Sequence, residues 1–349
     1  SPEINDLSAL AEYPSLRALA IEGGGLTNQS LLQLAASDWL PKSLRSLTLA
    51  GSFDEISALG DFINLEDLRL GSDALKNLAP IARLPLLAFL GVESAGLKTL
   101  EDLKNTDSLT IIGLIAPSLK SIAPIAALPQ LDTLFVENAV LIDFGALADS
   151  DSLSVLEFRN TGLDSLDFLR GSDGGVSLDL DELYLRGNEI RDLDLLSQLP
   201  NLNALSVGEN PIRSLDPIGK LSQLEWLSLA DTGVRTLSVL DGSNLSYLDA
   251  SGNNLKTIEP LAGARNLKTL YLEASEVADI QPLSGLQLEL VNLEGNQVRS
   301  IDAAFNSMSQ GEILLDSNPV LCPSLNRFLS QKREAVRLDF DAVACLSDG

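Results

Sequence analysis

The chain has 349 residues, 45% of them hydrophobic but only 5% aromatic, and its formal net charge at pH 7 is −25. This acidity repels phosphate backbones and anionic lipid, so it argues against nucleic-acid binding and against electrostatic docking on membranes. No apolar run approaches about 18 residues, so we expect no membrane insertion. We expect instead a partner with a basic surface, although the acidity can also serve solubility alone.

The pattern L-x-x-L-x-L recurs along almost the whole chain. Its fourteen occurrences, the last of them degenerate, begin at residues 16, 44, 65, 87, 109, 131, 153, 180, 202, 224, 245, 267, 288 and 310. Eleven of the thirteen intervals are 21 or 22 residues, which is typical of a repeat array. Within each repeat the alternating leucines predict a short strand, whose third, fifth and seventh residues lie on the face opposite the leucines.

The repeat array is expected to cover residues 16–318, after a partial repeat at 1–15 in which Tyr13 fills a core position. Two insertions lengthen the array, near 26–43 and at 171–177, and the first is expected to form a helix against which Trp39 packs. Residues 319–349 are expected to form a C-terminal cap. Pro323 predicts the start of a helix there, with Leu325, Phe328 and Leu329 on one face.

The unit LNALSVGENPIRSLDPIGKLSQ (202–223) resembles the leucine-rich repeat family, with Asn210 after the strand motif. Its length and its LxPL/I element, as in LAPI (78–81) and LDPI (215–218), resemble the subclass shared by bacterial internalins and the phosphatase-1 regulatory subunit. The resemblance implies an α/β leucine-rich repeat solenoid (horseshoe). Such a fold has a parallel concave β-sheet, short 3-10 or helical convex segments and a C-terminal cap.

An asparagine after each strand is expected to bond neighbouring backbone in a ladder along the stack. The ladder residues are Asn188, Asn210, Asn253, Asn296 and Asn318. In the first half other residues stand at this position: Ser52, Asp73, Ala95, Pro117, Ala139 and Thr161. We therefore expect a less regular first half that opens first in hydrogen exchange.

The chain has two cysteines, Cys322 and Cys345, and both fall in the predicted cap. A disulfide between them resembles the cysteine-bearing C-terminal caps of secreted leucine-rich repeat proteins, with two free thiols as the alternative. The disulfide implies an extracytoplasmic location, whether secreted, periplasmic or on the cell surface. We expect the signal peptide to lie outside this chain, whose first residue is Ser1.

The outward strand positions supply the candidate partner-binding residues on the concave face. Solvent-facing aromatic residues in a rigid sheet are typical of protein interfaces, although β propensity and cross-strand stacking can also explain them. We expect Trp226 and Tyr247 to lie side by side on adjacent strands about 4.8 Å apart. The candidates are Phe89, Ile111, Phe135, Glu137, Glu157, Arg159, Glu182, Tyr184, Arg186, Trp226, Tyr247, Asp249, Tyr271 and Glu273.

The sequence offers little that could support catalysis. It contains no histidine, which excludes Ser-His and Cys-His nucleophile pairs and His-containing metal sites. It has no G-x-x-x-x-G-K phosphate loop, and the acidic DLDE (179–182) falls in a strand and lacks the calcium-loop pattern. We expect no enzyme, no cofactor and no metal site.

These observations favour a non-enzymatic protein-recognition module. The leading hypothesis is a monomeric, secreted or cell-surface bacterial protein that binds another protein on its concave face. One alternative is an intracellular scaffold that resembles the phosphatase-1 regulator. Another is carbohydrate binding through the exposed aromatic residues, because aromatic platforms also stack on sugars.

Overall fold

The computed structural model describes residues 10, 13–126, 128–145, 147–176, 178–303, 310–330, 336–339 and 345–346. The chain divides into two compact units. The first is Ser1–Leu163 with Asp167–Leu180, and the second is Asp164–Leu166 with Asp181–Gly349. Within the described residues, no helix has both the length and the apolar character needed to cross a membrane.

The first unit contains a parallel sheet in which each strand pairs with the next along the chain. Two helices, α1 (Asn28–Ala35) and α2 (Leu40–Ser43), fill the first insertion, so the helix expected there is confirmed. The strands are β1 (Ala18–Thr27), β2 (Ser46–Ser52), β3 (Asp67–Gly71), β4 (Phe89–Glu93), β5 (Ile111–Ile115), β6 (Thr133–Glu137) and β7 (Val155–Arg159).

The second unit repeats this parallel arrangement with shorter strands. Its described strands are β8 (Glu182–Tyr184), β9 (Ala204–Ser206), β10 (Trp226–Ser228), β11 (Tyr247–Asp249), β12 (Thr269–Tyr271), β13 (Leu290–Asn292), β14 (Gly311–Leu314) and β15 (Val336–Asp339). Helix α3 (Cys322–Ser330) follows β14. The disulfide is confirmed, because the Sγ atoms of Cys322 and Cys345 lie 2.04 Å apart.

Short 3-10 turns return the chain from one strand to the next. They span Ser57–Asp61, Ala79–Arg83, Glu101–Leu103, Leu147–Asp149, Asp167–Leu169, Asp194–Gln198, Ile218–Lys220, Ser238–Leu240, Glu259–Gly263 and Gln281–Leu283. Parallel strands joined by such turns confirm the expected leucine-rich repeat solenoid.

At many of these turns a polar side chain accepts a hydrogen bond from the backbone, a feature that was not predicted from the sequence. Two residues before the turn, an oxygen accepts a hydrogen bond from the first N–H of the turn. Thr99 Oγ1 accepts from Glu101 N at 3.2 Å, and Asp192 Oδ1 accepts from Asp194 N at 2.8 Å. These bonds satisfy donors that a helical turn otherwise leaves free.

The motif leucines form the core and fix which strand residues face outward. In β10 and the residues that flank it, Leu224 is 4% exposed and Leu227 and Leu229 are fully buried. Trp226, which lies between Leu224 and Leu227, is only half-buried. The predicted strand phase is therefore correct. One core assignment was wrong, because Tyr13 is 59% exposed. Of the three apolar residues predicted on one face of the C-terminal helix, Leu325 and Phe328 are buried and Leu329 is 46% exposed. Of the rest of the partial repeat at 1–15, residues 1–9, 11 and 12 lie outside the described residues.

The asparagine ladder is confirmed, since all five of its members are buried. In the first half, serines one residue earlier take part of this role. Ser72 Oγ donates to the Phe53 carbonyl at 2.5 Å, and Ser94 Oγ donates to the Leu75 carbonyl at 2.8 Å. The strands of the first half are longer, since β3–β7 have five residues each and β8–β13 only three, and the expectation of a less regular first half stays a prediction. The order of hydrogen exchange stays a prediction.

Candidate functional site

Outward side chains of each sheet lie on what we call its open face, the face predicted from the sequence to be concave. In the second unit this face carries a continuous aromatic ridge of Tyr184, Trp226, Tyr247 and Tyr271. The Trp226 and Tyr247 rings stack at 4.8 Å between centroids with an interplanar angle of 11°. Tyr184 meets Trp226 edge-on at 5.7 Å, and Tyr271 lies 5.7 Å from Tyr247.

Small residues on β9 explain how Tyr184 and Trp226 meet although a whole strand separates them. Ala204 pairs in register with Trp226, and Ser206 pairs with Tyr184. Both small residues are buried, at 5% and 6% exposure. The two aromatic rings close over them, and all four rings of the ridge stay partly exposed.

Charged groups border the ridge. The Tyr184 hydroxyl donates to Glu182 Oε2 at 2.7 Å, and the Arg186 guanidinium donates to Glu209 Oε1 at 2.6 Å. The hydrogen bond to Glu209 is the largest cause of a raised pKa for Arg186, so this cation is held by its acidic neighbours.

The acidic side of the ridge is formed by Asp249 and the exposed Glu273. Burial raises the pKa of Tyr247 to about 12, and the charge of Asp249 and the neighbouring Tyr271 add to the shift. Tyr247 therefore stays a neutral hydrogen-bonding phenol at physiological pH.

The first unit carries a separate feature on its open face, a cleft of about 530 Å³. Four predicted residues line it: Phe89, Phe135, Glu137 and Glu157. The predicted Ile111 and Arg159 lie on the same face, on β5 and β7, but do not line the cleft.

Glu157 is a half-buried carboxyl group of this cleft. Its Oε1 lies 2.7 Å from a guanidinium nitrogen of Arg159. Burial raises the pKa of Glu157, Arg159 opposes that rise, and the charge of Glu137 adds to it. Arg159 is thus the cation that faces this half-buried acid.

Arg69 and the glycines Gly91 and Gly113 also line the cleft, and none of them was among the residues predicted from the sequence. Gly91 and Gly113 stand at the fifth strand position of consecutive repeats and pair in register. This coincidence is visible in the sequence as two glycines 22 residues apart where other repeats carry side chains. Among the described residues, no group of three or more acidic or cysteine side chains is arranged to hold a metal ion.

Comparison with known proteins agrees with the fold. A family model described as leucine-rich repeats (two copies) matches residues 179–220 and 243–285. A comparison with curated proteins finds no match.

Solved structures of similar fold come from several organisms. An internalin, InlF of Listeria monocytogenes, is 19% identical, with 97% of this chain and 94% of the internalin covered and a TM-score of 0.59. A leucine-rich repeat protein of Leptospira interrogans is 19% identical, with full coverage of both chains and a TM-score of 0.57. The ectodomain of the Arabidopsis thaliana receptor kinase GASSHO1/SCHENGEN3, solved in complex with CASPARIAN STRIP INTEGRITY FACTOR 2, is 22% identical. It gives a TM-score of 0.62, with 95% of this chain and 44% of the receptor covered. Residues 179–220 and 243–285 of this chain thus match leucine-rich repeats, and its fold is similar to that of internalins and other leucine-rich repeat proteins.

Proposed function

We propose that this chain is a non-enzymatic recognition module that binds another protein on its open face, through the aromatic ridge. The observation that carries the proposal is the ridge itself, four aromatic side chains in contact on a rigid sheet. Partly exposed Trp and Tyr anchored in this way supply large contact area at little entropic cost, and they dominate measured protein interfaces. The Arabidopsis receptor of similar fold, solved with its bound factor, supports the same use of this architecture.

The charge of the face points to the chemistry of the partner. Glu182, Asp249 and Glu273 border the ridge, whereas Arg186 is already bound to Glu209. A partner with a basic surface would meet complementary charge, which raises association rate and selectivity.

The disulfide favours an extracytoplasmic protein, because disulfides persist mainly in oxidising compartments. We infer a secreted or cell-surface bacterial protein that acts as a monomer. The same bond disfavours the cytosolic phosphatase-regulator alternative, in which Cys322 and Cys345 would be reduced.

The test begins by crosslinking the protein to candidate extracellular partners and measuring the affinity of those recovered. Trp226→Ala combined with Tyr247→Ala should weaken binding by about 2 kcal/mol or more, roughly 30-fold, if these are interface hot spots. The matched control is Ile142→Ala, which removes an apolar side chain that is 76% exposed and lies outside the strands. It should leave affinity unchanged.

Two outcomes would contradict the proposal. Unaltered affinity in the double variant, with its melting temperature preserved, would place the interface elsewhere. Binding to a glycan array that depends on Trp226, with no protein partner recovered, would favour carbohydrate recognition instead.

A further inference from the structure

The cleft of the first unit includes two glycines, Gly91 and Gly113, which carry no side chain to fill it. Along the fifth strand position, Arg69 of β3, Gly91 of β4, Gly113 of β5 and Phe135 of β6 pair in register, one after another. A Cβ atom placed on Gly113 would meet no heavy atom within 4 Å. The space above Gly113 is therefore open, and Phe135 stands as a wall on one side of it.

The opposite wall is a cation stacked on an aromatic ring. The Arg69 guanidinium carbon lies 4.4 Å from the centre of the Phe89 ring. A Cβ on Gly91 would come within 3.2 Å of the Phe89 ring and 3.6 Å of Arg69 Cγ, so these two side chains cover Gly91. The unfilled part of the cleft is thus bounded by Phe89 and Phe135 over the floor of Gly113.

Negative charge surrounds this apolar slot. Four carboxylates line the cleft, those of Glu22, Glu93, Glu137 and Glu157, against a single cation, Arg69. Arg69 is already engaged, since its Nε lies 3.2 Å from Asp67 Oδ1 and its guanidinium covers Phe89.

The remaining acids lack a cation inside the cleft. In the part of the chain that the structure describes, Glu93 and Glu137 form no ion pair within 4 Å, and Glu157 pairs only with Arg159 outside the cleft lining. An anionic or purely apolar occupant would desolvate these carboxylates without compensation. A cation on an apolar stem would place the stem against the aromatic walls and the charge beside the carboxylates.

We propose that the cleft binds a lysine side chain presented by a protein partner. Its methylene groups lie over Gly113 between Phe89 and Phe135, and its ammonium group lies beside Glu137 and Glu157, which stand on the adjacent strands β6 and β7. Lysine fits better than arginine because Glu137 and Glu157 each offer one carboxylate from separate strands to a point charge, whereas a guanidinium prefers a single bidentate partner. Only the source of the lysine, a protein, rests on the function proposed above.

The test uses a probe that does not require the partner. Acetyl-Gly-Lys-Gly-amide is titrated into the full chain by ligand-observed NMR, beside its norleucine and glutamate analogues. The lysine peptide should bind at least about tenfold more tightly than the norleucine peptide, because its ammonium group adds charge-assisted hydrogen bonds to the carboxylates. The glutamate peptide should not bind.

The structural control is to fill the slot. Gly113→Phe should abolish binding of the lysine peptide while leaving the melting temperature unchanged or higher, since Gly113 has no left-handed φ and an aromatic side chain favours a strand over glycine. Gly113→Ala adds one methyl group and should have a much smaller effect. Trp226→Ala should have none, which separates this site from the aromatic ridge.

Three results would overturn the proposal. Equal binding of the norleucine peptide would remove the role of the ammonium group. Undiminished binding to folded Gly113→Phe would place the lysine outside the cleft. Tighter binding of 1,5-diaminopentane than of the lysine peptide would assign the cleft to a free diamine. None of these outcomes bears on whether a protein binds the ridge.

Discussion

Replacing Asn210 with alanine should lower the free energy of unfolding of the second unit, because the Asn210 side chain is buried and bonds the backbone of two repeats. The Asn210 side chain is 1% exposed, and its Nδ2 donates to the carbonyl groups of Leu185, Val207 and Gly208 at 2.8, 3.1 and 3.0 Å. Its Oδ1 accepts from the N–H of Ile190 at 3.0 Å. One side chain therefore ties two successive repeats together through four backbone groups.

The magnitude follows from which of these groups keep another partner. Leu185 O still accepts from Asn188 Nδ2 at 2.8 Å, and Gly208 O still accepts from Gly187 N at 3.0 Å. Val207 O and Ile190 N lose the partner that Asn210 gave them. Two buried groups left unsatisfied cost about 1–3 kcal/mol each, so we expect a loss of about 2–6 kcal/mol.

Urea unfolding followed by circular dichroism measures the loss, and amide exchange at Ile190 tests its location. The matched control is Asn203→Ala, the same substitution at an exposed position, which should change stability by less than about 0.5 kcal/mol. A loss below about 1 kcal/mol in Asn210→Ala, or unchanged exchange at Ile190, would refute the reasoning about orphaned backbone groups.

Two further predictions concern titration. The Tyr247 phenol should ionise near pH 12 in an ultraviolet titration, and Tyr247→Phe should remove that late step. Because its folded pKa lies above that of the unfolded chain, Tyr247 should favour folding less as pH rises from about 10 to 12; a step near 10 would contradict the burial argument. The folded pKa of Glu157 is likewise raised above its ordinary value of 4.5. Its contribution to stability therefore falls as pH rises from 4.5 through the folded pKa. The melting temperature of Glu157→Gln should therefore rise relative to that of the unsubstituted protein as the pH increases from about 4.5 through the folded pKa, and a difference that does not change with pH would contradict the prediction.

The amino-acid sequence by itself determined the repeat, its phase and its buried polar ladder. The alternation of leucines settled that Leu227 and Leu229 point inward and Trp226 outward, because side chains of a strand alternate between its two faces. Composition limited any disulfide to one pair, since the only two cysteines fall in one short segment, and the structure then excluded the alternative of two free thiols. These features depend on local spacing, and local spacing is what a sequence displays.

The tertiary structure decided which outward side chains touch and where the face is hollow. Tyr184 and Trp226 meet only because Ala204 and Ser206 leave room on the strand between them, and the slot over Gly113 exists only because no neighbouring side chain fills it. Such contacts join residues one or two repeats apart and depend on rotamers and on volumes left empty. A sequence records which residues share a face, but only packing across several strands determines whether a small residue is covered by its neighbours or left open as a site.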